Sequence, residues 1–366
     1  MNSVSPQNFP VQGFIPLPSP WVLQDGGELL GAQVFYERFG EPSPSKDNVI
    51  LLFTGLSASA HAHSHPLNSA RGWWEEMIGP NLALDTTRFC VLVINSLGSC
   101  FGSTGPGSIA PTSGEKYGFG FPTLRIEDIA RAAQAAVSTL GIEQLYATIG
   151  MSLGGMSVLA HRLLYPSASQ RLVCISGALA ASSYAVATRS LQREILGRAL
   201  QKPQDDLSIQ QAIKWARKIG ILSYIGADLL EKRFHRDQNE PYSGNASGTD
   251  FEVEGWLEHL ATRFSTQFDP YSYWTLSRAM DLFSFSELNR RLYGNDSVQV
   301  GQGKALVIGV HEDLLFPLQS QAEVAATLRQ AKLQVQFEQL HSAYGHDAFL
   351  AERRLFEPSL QGFLAT

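Results

Sequence analysis

The sequence predicts an α/β fold in which a mostly parallel sheet has helices on both faces and carries one inserted helical block. Three observations lead to this class. Short apolar strand patterns alternate with amphipathic helix patterns up to about residue 178. The strand signal then disappears until about residue 300, and the alternation resumes from there. We therefore expect residues 1-178 and 300-366 to form one core, and residues 179-299 to form a helical lid.

The composition is that of an ordinary globular protein and argues against two classes of partner. Of the 366 residues, 44% are hydrophobic and 17% are charged. The formal net charge of −6 and the lack of a basic run argue against nucleic acid. No apolar run reaches the length of a membrane span, and the N-terminus lacks the features of a signal peptide. We expect a cytoplasmic protein without a membrane partner, whose three cysteines are reduced thiols.

The N-terminal half predicts strands that are followed by long loops. The first two dozen residues are rich in proline, serine and glycine, which indicates an irregular surface segment. The alternating run Glu28–Arg38 predicts an antiparallel edge strand. The apolar runs Val49–Phe53 and Phe89–Ile94 predict strands that are covered on both faces. The long loops that follow them, Thr54–Pro80 and Asn95–Pro122, are expected at the carboxyl edge of the sheet, where loops of this length usually have a function.

The rest of the chain continues the alternation, apart from the lid. Ile126–Leu140 has its apolar residues on one face and predicts a helix that ends at Gly141. The other predicted core elements are the strand Leu145–Ile149, the helix Leu153–Tyr165, the strand Leu172–Ser176, the strand Ala305–Val310, the helix Gln321–Leu328, the strand Leu333–Leu340 and a terminal helix Ala348–Phe356 stopped by Pro358. The predicted lid helices are Tyr184–Leu200, Ile209–Ile219, Ala227–Arg236, Glu252–Phe264 and Tyr271–Leu282.

The motif Gly150-Met151-Ser152-Leu153-Gly154 stands between a strand pattern and a helix pattern. A G-x-S-x-G at a strand-to-helix turn is the setting of a serine nucleophile, because the sharp turn projects the hydroxyl from the sheet edge. Small flanking residues prevent a clash of the turn with the neighbouring strand and helix. The alternative interpretation is a glycine-rich turn that packs a helix tightly on the sheet. We expect Ser152 to be a nucleophile.

A serine nucleophile needs a base and an acid, and the sequence offers both downstream. Asp313 and His346 each follow a predicted strand, in the chain order serine, acid, histidine. Both are therefore expected in loops at the carboxyl ends of strands, where they can converge on the serine. Glu312 is the nearest competitor for the acid, and His341 is the nearest competitor for the base.

Two other motifs invite different functions. His61, His63 and His65 alternate along a loop, but no cysteine or carboxylate stands at a recognisable ligand spacing, so we expect polar loop residues near the pocket and no metal. The glycines of Gly98–Gly107 lack the G-K-[ST] ending of a phosphate-binding loop, and no helix pattern begins there. We expect them to shape a loop beside the nucleophile.

Taken together, these motifs resemble the MetX-type homoserine and serine O-acyltransferases, which have the α/β-hydrolase fold. The resemblance extends from about Glu28 to Leu364. The segments that carry it are Asn95–Ile109, Phe121–Asp128, Gly150–Met156, Ala216–Tyr224, Leu315–Pro317 and Gly345–Asp347. It implies acyl transfer from acetyl- or succinyl-CoA, as a co-substrate, to the hydroxyl of serine or homoserine. It also implies a homodimer and no permanently bound cofactor.

The resemblance implies roles for individual residues. It repeats the assignment of the nucleophile, the acid and the base. The backbone N–H groups of Leu56 and Leu153 resemble those of the family's oxyanion hole. Arg217 and Asp347 resemble the residues that hold the amino acid acceptor. The chemistry agrees, because a guanidinium pairs with an α-carboxylate and a carboxylate pairs with an α-ammonium.

Within the family, the chain is more similar to the serine O-succinyltransferase branch. The acceptor-specificity loop of that branch is represented by Gly55, Leu56, Ser57 and Ala58. Arg189 stands where homoserine-acylating members usually carry asparagine and is the expected acyl-donor specificity residue, with Arg193 one turn further along the same helix face. Met151 before the serine, and a shortened lid segment between Gly197 and Gln210, depart from the family's pattern.

The expected function is that of an L-serine O-succinyltransferase of cysteine biosynthesis, which works by a ping-pong mechanism through an acyl-serine. A homoserine O-succinyl- or O-acetyltransferase of methionine biosynthesis is the first alternative. An esterase or thioesterase that uses the same three residues is the second. A non-catalytic binding module with the same fold is the third, and the intact Ser152, Asp313 and His346 argue against it.

Overall fold

One eight-stranded sheet forms the centre of the protein in the computed structural model, which describes residues 9–201, 206–235, 251–295 and 297–366. Its strands are β1 (Gln12–Pro16), β2 (Gln33–Phe39), β3 (Val49–Phe53), β4 (Cys90–Ile94), β5 (Leu145–Met151), β6 (Ser169–Ile175), β7 (Lys304–Val310) and β8 (Gln334–Leu340). Their order is β1-β2-β4-β3-β5-β6-β7-β8. The β1–β2 and β2–β4 pairs are antiparallel, and the other neighbouring pairs are parallel. The predicted α/β-hydrolase fold with a mostly parallel sheet is thus confirmed.

Helices lie on both faces of this sheet and in a block between β6 and β7. The helices are α1 (Ile126–Thr139), α2 (Leu153–Leu164), α3 (Ser183–Gln201), α4 (Asp206–Tyr224), α5 (Ala227–Phe234), α6 (Glu252–Ser265), α7 (Pro270–Leu282), α8 (Phe285–Tyr293), α9 (Leu318–Gln330), α10 (Ala348–Ala351) and α11 (Glu357–Ala365). Short 3-10 turns lie at Gly118–Gly120, Gly345–Asp347 and Arg353–Leu355. No helix of the described ranges is long and apolar enough to cross a membrane.

The strand β3 shows how the two faces of the sheet are filled. Its alternate residues Val49, Leu51 and Phe53 belong to the core that α1, α2 and α9 cover. The intervening residues belong to a second core, with α11 and the segment around Trp74. Every residue of β3 is buried. This burial on both faces is the reason why the strand is apolar without alternation.

The N-terminal segment differs from the sequence prediction in two ways. Gln12–Pro16 is a strand, β1, and it covers β2, so β2 is not the edge of the sheet. The predicted strand Glu28–Arg38 is divided, because Glu28–Leu29 pairs with Trp21–Val22 in a separate two-stranded sheet. Gly31, with a φ of +61°, turns the chain between that sheet and β2. The proline and glycine of β1 concealed its strand character.

Three further features near the lid and the C-terminus differ from the sequence predictions. The predicted helix Ala348–Phe356 is broken into α10 and a 3-10 turn. Pro358 does not stop a helix but lies in the first turn of α11, where a missing N–H has no cost. The helix α8 was not predicted, although Ser284 caps its N-terminus and Gly294, at a φ of +71°, ends it.

The lid helices α3 to α8 all lie between β6 and β7, inside the predicted interval 179–299. The predicted lid helices correspond to α3 to α7 with small differences at their ends. The base of the block is closed where Ala180 bridges Ser284 and where the Phe285 N–H donates to the Leu179 carbonyl at 2.8 Å. The first eight residues and Arg236 lie outside the described residues, and so do residues 202–205 of the segment between Gly197 and Gln210.

Candidate active site

Ser152 lies at the turn between β5 and α2 in a strained backbone conformation. Its φ is +56° and its ψ is −121°, a region that costs a non-glycine residue about 1–3 kcal/mol. A Cβ atom at Gly150 would lie 2.2 Å from the Gly154 carbonyl oxygen. A Cβ atom at Gly154 would lie 2.4 Å from the carbonyl oxygen of Phe53 on β3. The two glycines of the motif therefore allow the tight approach of strand, turn and helix on which the position of the Ser152 hydroxyl depends.

The Ser152 hydroxyl ends a chain of three hydrogen-bonded side chains. Its Oγ lies 2.9 Å from Nε2 of His346, and Nδ1 of His346 lies 2.8 Å from Oδ2 of Asp313. The other carboxylate oxygen, Oδ1, accepts the Phe316 N–H at 2.8 Å. All three side chains are buried. Because the carboxylate accepts a hydrogen bond from Nδ1–H, Nε2 presents a lone pair to the hydroxyl, which is the arrangement that a general base needs.

His346 is held in place by its neighbours. Gly345 before it has a φ of +51°, and a Cβ there would lie 2.6 Å from the Tyr224 carbonyl oxygen. The imidazole stacks on the Phe316 ring at a centroid distance of 5.0 Å. The two competitors for the base and the acid, His341 and Glu312, instead pair with each other at 2.9 Å.

Ser152 opens into a cavity of about 80 Å³ that the core and the lid enclose together. The core side is lined by the predicted specificity loop, Gly55, Leu56, Ser57 and Ala58, and by Trp73, Met151, Leu315, His346, Asp347, Phe349 and Leu350. The lid side is lined by Thr188, Arg189, Gln192, Arg217, Ser223, Tyr224, Tyr273 and Met280. The expected loop and both expected acceptor-binding residues thus line the same cavity as the nucleophile.

Of the two predicted oxyanion-hole residues, Leu153 follows Ser152 in the chain and Leu56 lines the same cavity as Ser152. Leu153 is the first residue of α2, and the first N–H groups of a helix have no intrahelical acceptor. The N-terminus of a helix also carries a partial positive charge, which favours an anion there. Leu56 lies in the cavity wall after β3. The N-terminus of α2 therefore suits an anion next to the hydroxyl, and the backbone N–H groups of Leu56 and Leu153 remain the predicted donors.

Arg217 and Asp347 bring opposite charges to the cavity from the lid and the core. The guanidinium of Arg217 lies over the ring of Phe264 at 4.5 Å and over that of Tyr224 at 5.3 Å, contacts that fix its position. Asp347 follows His346 in the 3-10 turn. Burial raises the pKa of the Asp347 carboxyl above its ordinary value, and the positive charge of Arg217 opposes this rise.

Arg189 is buried in the lid wall of the cavity and does not stand alone. Its Nε donates to Oδ1 of Asp281 at 2.7 Å, and Nη1 of Arg193 lies 2.6 Å from the other oxygen. One carboxylate therefore balances two guanidinium groups, and a net positive charge remains. Nη1 of Arg189 is buried and has no hydrogen-bond acceptor among the described residues.

The histidines and glycines that suggested other functions lie away from the cavity lining. His61 and His65 contact Glu37, and His63 contacts Glu75. Gly98–Gly107 folds against β2, where the hydroxyls of Ser103 and Thr104 accept strand N–H groups. This glycine loop therefore supports the antiparallel side of the sheet.

A second, larger cavity of about 700 Å³ adjoins the first. The two cavities share Arg217, Asp347 and Leu350 in their walls. The rest of the larger cavity is mostly apolar, with Arg233 and Arg263 among its cations. The space near the nucleophile is therefore small, and the space beyond the two charged residues is wide.

Sequence reasoning missed two residues that shape the site. Asp281 pairs with both lid arginines, but it lies 92 positions from Arg189, and no local pattern connects them. Trp73 lines the cavity and donates its Nε1–H to the Ser59 carbonyl at 2.8 Å. Its place in a long loop at the carboxyl edge of the sheet was the available signal.

This chain is similar to known proteins along nearly its whole length. Residues 48–352 match a family model described as the alpha/beta hydrolase fold. A serine O-succinyltransferase of Litchfieldella anticariensis is 42% identical over 96% of this chain and 98% of its own. An L-serine/homoserine O-acetyltransferase of Streptomyces lavendulae is 40% identical over 97% and 98%. The crystal structure of a homoserine O-acetyltransferase from Bacillus anthracis superposes with a TM-score of 0.87 at 22% identity, covering 97% of each chain.

The low identity of the crystal structure restricts its meaning to the fold, whereas the two sequence relatives extend over nearly the whole chain at 40% identity or more. The predicted resemblance is thereby confirmed. The chain belongs to the α/β-hydrolase family and, within it, to the serine and homoserine O-acyltransferases.

Proposed function

We propose that this enzyme transfers the succinyl group of succinyl-CoA to the hydroxyl of L-serine. One observation carries the proposal: the Ser152 hydroxyl, hydrogen-bonded to His346, opens into a cavity that also contains the opposite charges of Arg217 and Asp347. Such a pair of charges suits the carboxylate and ammonium groups of an amino acid. The similarity to serine O-succinyltransferases supports the choice of acyl group and acceptor.

The first half of the proposed reaction acylates the enzyme. His346 removes the proton of Ser152 as the hydroxyl attacks the thioester carbonyl, and Asp313 stabilises the imidazolium that forms. The backbone N–H groups of Leu56 and Leu153 stabilise the oxyanion, and one such donor is worth roughly 3 kcal/mol. Coenzyme A leaves as a thiol after it receives the proton from the imidazolium. The succinyl group remains as an ester on the serine.

The second half transfers the acyl group to the acceptor. Arg217 binds the α-carboxylate of serine and Asp347 binds its α-ammonium, so that the acceptor hydroxyl faces His346. His346 takes the hydroxyl proton as the acceptor oxygen attacks the succinyl ester, and the bond from the acyl carbon to Oγ of Ser152 breaks. The imidazolium returns the proton to Ser152, and O-succinylserine leaves. Water competes at this step. The cavity of 80 Å³ has room for about five to eight water-sized groups, which is the size of a small amino acid. A bound acceptor therefore displaces the water that would hydrolyse the ester.

Arg189 is the proposed partner of the succinyl carboxylate. An unpaired carboxylate in a partly dry cavity costs several kcal/mol, so a succinyl site needs a cation. The shared Asp281 leaves one net positive charge on Arg189 and Arg193, and a buried N–H group of Arg189 awaits an acceptor. An acetyl group has no charge to offer this site. The mostly apolar larger cavity, with Arg233 and Arg263, is the proposed path of the coenzyme A arm and its phosphates.

The donor assignment is tested with Arg189→Asn and with a matched variant on the same helix. We expect Arg189→Asn to depress kcat/KM for succinyl-CoA and to leave acetyl-CoA use similar or better. Arg198→Asn is the control, because this exposed arginine pairs only with Glu194 on the surface among the described residues. A wild-type preference for acetyl-CoA, or an equal loss with both donors, would contradict the succinyl assignment and leave acyl transfer intact.

Homoserine is the second candidate acceptor, because the Streptomyces lavendulae relative is named for both amino acids. Initial rates with acetyl-, propionyl- and succinyl-CoA against serine, homoserine and water separate these possibilities. Fast release of coenzyme A in water alone would identify a hydrolase instead. A lack of labelling of Ser152 by a fluorophosphonate, with the fold intact, would identify a non-catalytic binding protein.

We also propose that the enzyme is a cytoplasmic homodimer whose product serves cysteine biosynthesis. The free cysteines suit a reducing compartment. Large apolar side chains are exposed along α3 and α4, namely Leu191, Leu207, Trp215 and Leu222. Apolar residues on two neighbouring helices support an interface between two copies. Light scattering during size-exclusion chromatography tests this, since Trp215→Glu should shift a dimer to a monomer.

A further inference from the structure

Glu37, His61 and His65 form a compact cluster outside the active-site cavity. Glu37 lies on β2 and its side chain is only 4% exposed, whereas the two histidines come from the loop that follows β3. Oε2 of Glu37 lies 2.8 Å from Nδ1 of His61 and 3.0 Å from Nε2 of His65. The strand therefore supplies the carboxylate that the spacing of the histidines along the sequence did not reveal.

The protons of His61 make this cluster unusual. Its Nε2 lies 2.7 Å from the carbonyl oxygen of Ala70, which can only accept, so Nε2 carries a proton. A neutral imidazole would then turn the lone pair of Nδ1 towards the carboxylate oxygen of Glu37, and two acceptors would face each other at 2.8 Å. A cation must lie between them. It is either an extra proton, shared by His61 and Glu37, or a metal ion.

We propose that Glu37, His61 and His65 bind a divalent transition-metal ion, for which the ligand set favours Zn²⁺. The three ligand atoms all lie within 4.8 Å of one another. Two imidazole nitrogens and one carboxylate oxygen are a frequent zinc ligand set, and bonds of about 2.0–2.1 Å put tetrahedral ligands roughly 3.3 Å apart. The observed separations of 2.8 and 3.0 Å need to widen by only a few tenths of an ångström.

The surroundings of the ligands fit this role unequally. The Nε2–H of His61 donates to a backbone carbonyl, as the second nitrogen of a metal-bound histidine usually does. His65 has to change its tautomer, because its Nδ1 now accepts the Leu67 N–H at 3.3 Å. That hydrogen bond is long, so its loss is a small opposing effect.

A metal at this position would join β2 to the loop that forms the cavity wall. The loop begins with Gly55–Ala58, and the ligand His61 lies three residues beyond Ala58. The ion would therefore hold this loop in place without touching the reacting atoms. The site is independent of the proposed reaction, and its test does not use activity.

The test is a zinc titration of the untagged, metal-free protein by isothermal calorimetry in buffers of different ionisation enthalpy. We expect one Zn²⁺ per chain, and a binding heat that depends on the buffer because the metal displaces protons from its ligands. Co²⁺ should give the visible absorption of a tetrahedral site without a sulfur-to-metal band. His65→Gln should weaken binding at least tenfold.

His63→Gln is the matched control, because His63 lies between the two ligands in sequence but pairs with Glu75. It should bind Zn²⁺ as the wild-type protein does. Glu37→Gln should lose binding as His65→Gln does, and circular dichroism verifies that each variant is folded. If the wild-type protein takes up no stoichiometric Zn²⁺, or if His65→Gln binds it unchanged, the cluster is a proton-holding network and the proposal is wrong. A sulfur-to-metal band would show that the ion binds a cysteine and not this cluster, which would also contradict the proposal.

Discussion

The replacement of Asp313 by asparagine changes one atom, the oxygen that faces His346, and so tests the proposed role of the carboxylate. Oδ1 of Asp313 accepts the Phe316 N–H, so the amide oxygen of an asparagine should keep that position. Its NH₂ group then takes the place of Oδ2, 2.8 Å from Nδ1 of His346. A donor there forces Nδ1 to accept and moves the imidazole proton to Nε2. The proton then points at Ser152, and the base cannot receive the serine's proton.

Two effects set the expected magnitude. The imidazolium that forms in the transition state loses a carboxylate at about 4 Å, which is worth roughly 4 kcal/mol at an effective dielectric constant of about 20. This corresponds to about 10³-fold in rate. The wrong tautomer adds a further penalty, and about 10⁴-fold is the usual loss for this change in a Ser-His-Asp triad. We therefore expect Asp313→Asn to lower kcat by 10³ to 10⁴.

The assay is the burst of free coenzyme A when the enzyme is mixed with succinyl-CoA in the absence of serine. The burst should be much slower in the variant, while the melting temperature of the variant stays near that of the wild-type protein. Glu312→Gln is the control, because this neighbouring carboxylate pairs with His341 and should be dispensable for the burst. A folded Asp313→Asn protein with a burst rate within tenfold of wild type would refute the assigned role.

Three further predictions address the acceptor, the turn and the thiols. Arg217→Ala should lower kcat/KM for serine roughly 30- to 1,000-fold, or about 2–4 kcal/mol, because the opposite charge of Asp347 loses its partner. The burst of coenzyme A should remain. A lost burst would contradict a role for Arg217 in acceptor binding. Differential scanning fluorimetry should show a lower melting temperature for Gly154→Ala, because the new Cβ would lie 2.4 Å from a carbonyl oxygen. Gly255→Ala is the control. Its Cβ would enter open space on α6, so the melting temperature should rise or stay the same. Burial raises the pKa of the Cys90 and Cys174 thiols to about 12. These two thiols should therefore react with a disulfide reagent at pH 8 only after unfolding. Fast reaction of either thiol in the native protein would refute its burial.

The sequence was informative where a local pattern and the tertiary fold impose the same requirement. The motif around Ser152 was recognisable because the turn needs glycine at 150 and 154, and those residues are visible in any sequence. Asp313 and His346 were found because the carboxyl ends of parallel strands meet at one edge. These predictions need only the order of strands and residues along the chain, and the sequence gives that order directly.

The misses share a different cause. The strand β1 contains proline and glycine and becomes a strand by pairing with β2, so tertiary pairing and not local propensity decides its state. Asp281 pairs with Arg189, which lies 92 residues away in the chain, and Glu37 contacts His61, which lies 24 residues away. Nothing in a single sequence connects such residues. Pro358 predicts the end of a helix, but the same residue type is equally suited to the first turn of a helix, where the structure has it.

The wall that the two cavities share has a consequence for steady-state kinetics. Arg217 and Asp347 border both the narrow space around the nucleophile and the wide space beyond it. An amino acid that binds to them before the enzyme is acylated would occupy the junction through which the acyl arm must reach Ser152. We therefore expect a dead-end complex, visible as inhibition by high serine concentration that excess succinyl-CoA relieves. The two residues that are proposed to bind the acceptor would then also favour the arrival of succinyl-CoA before serine.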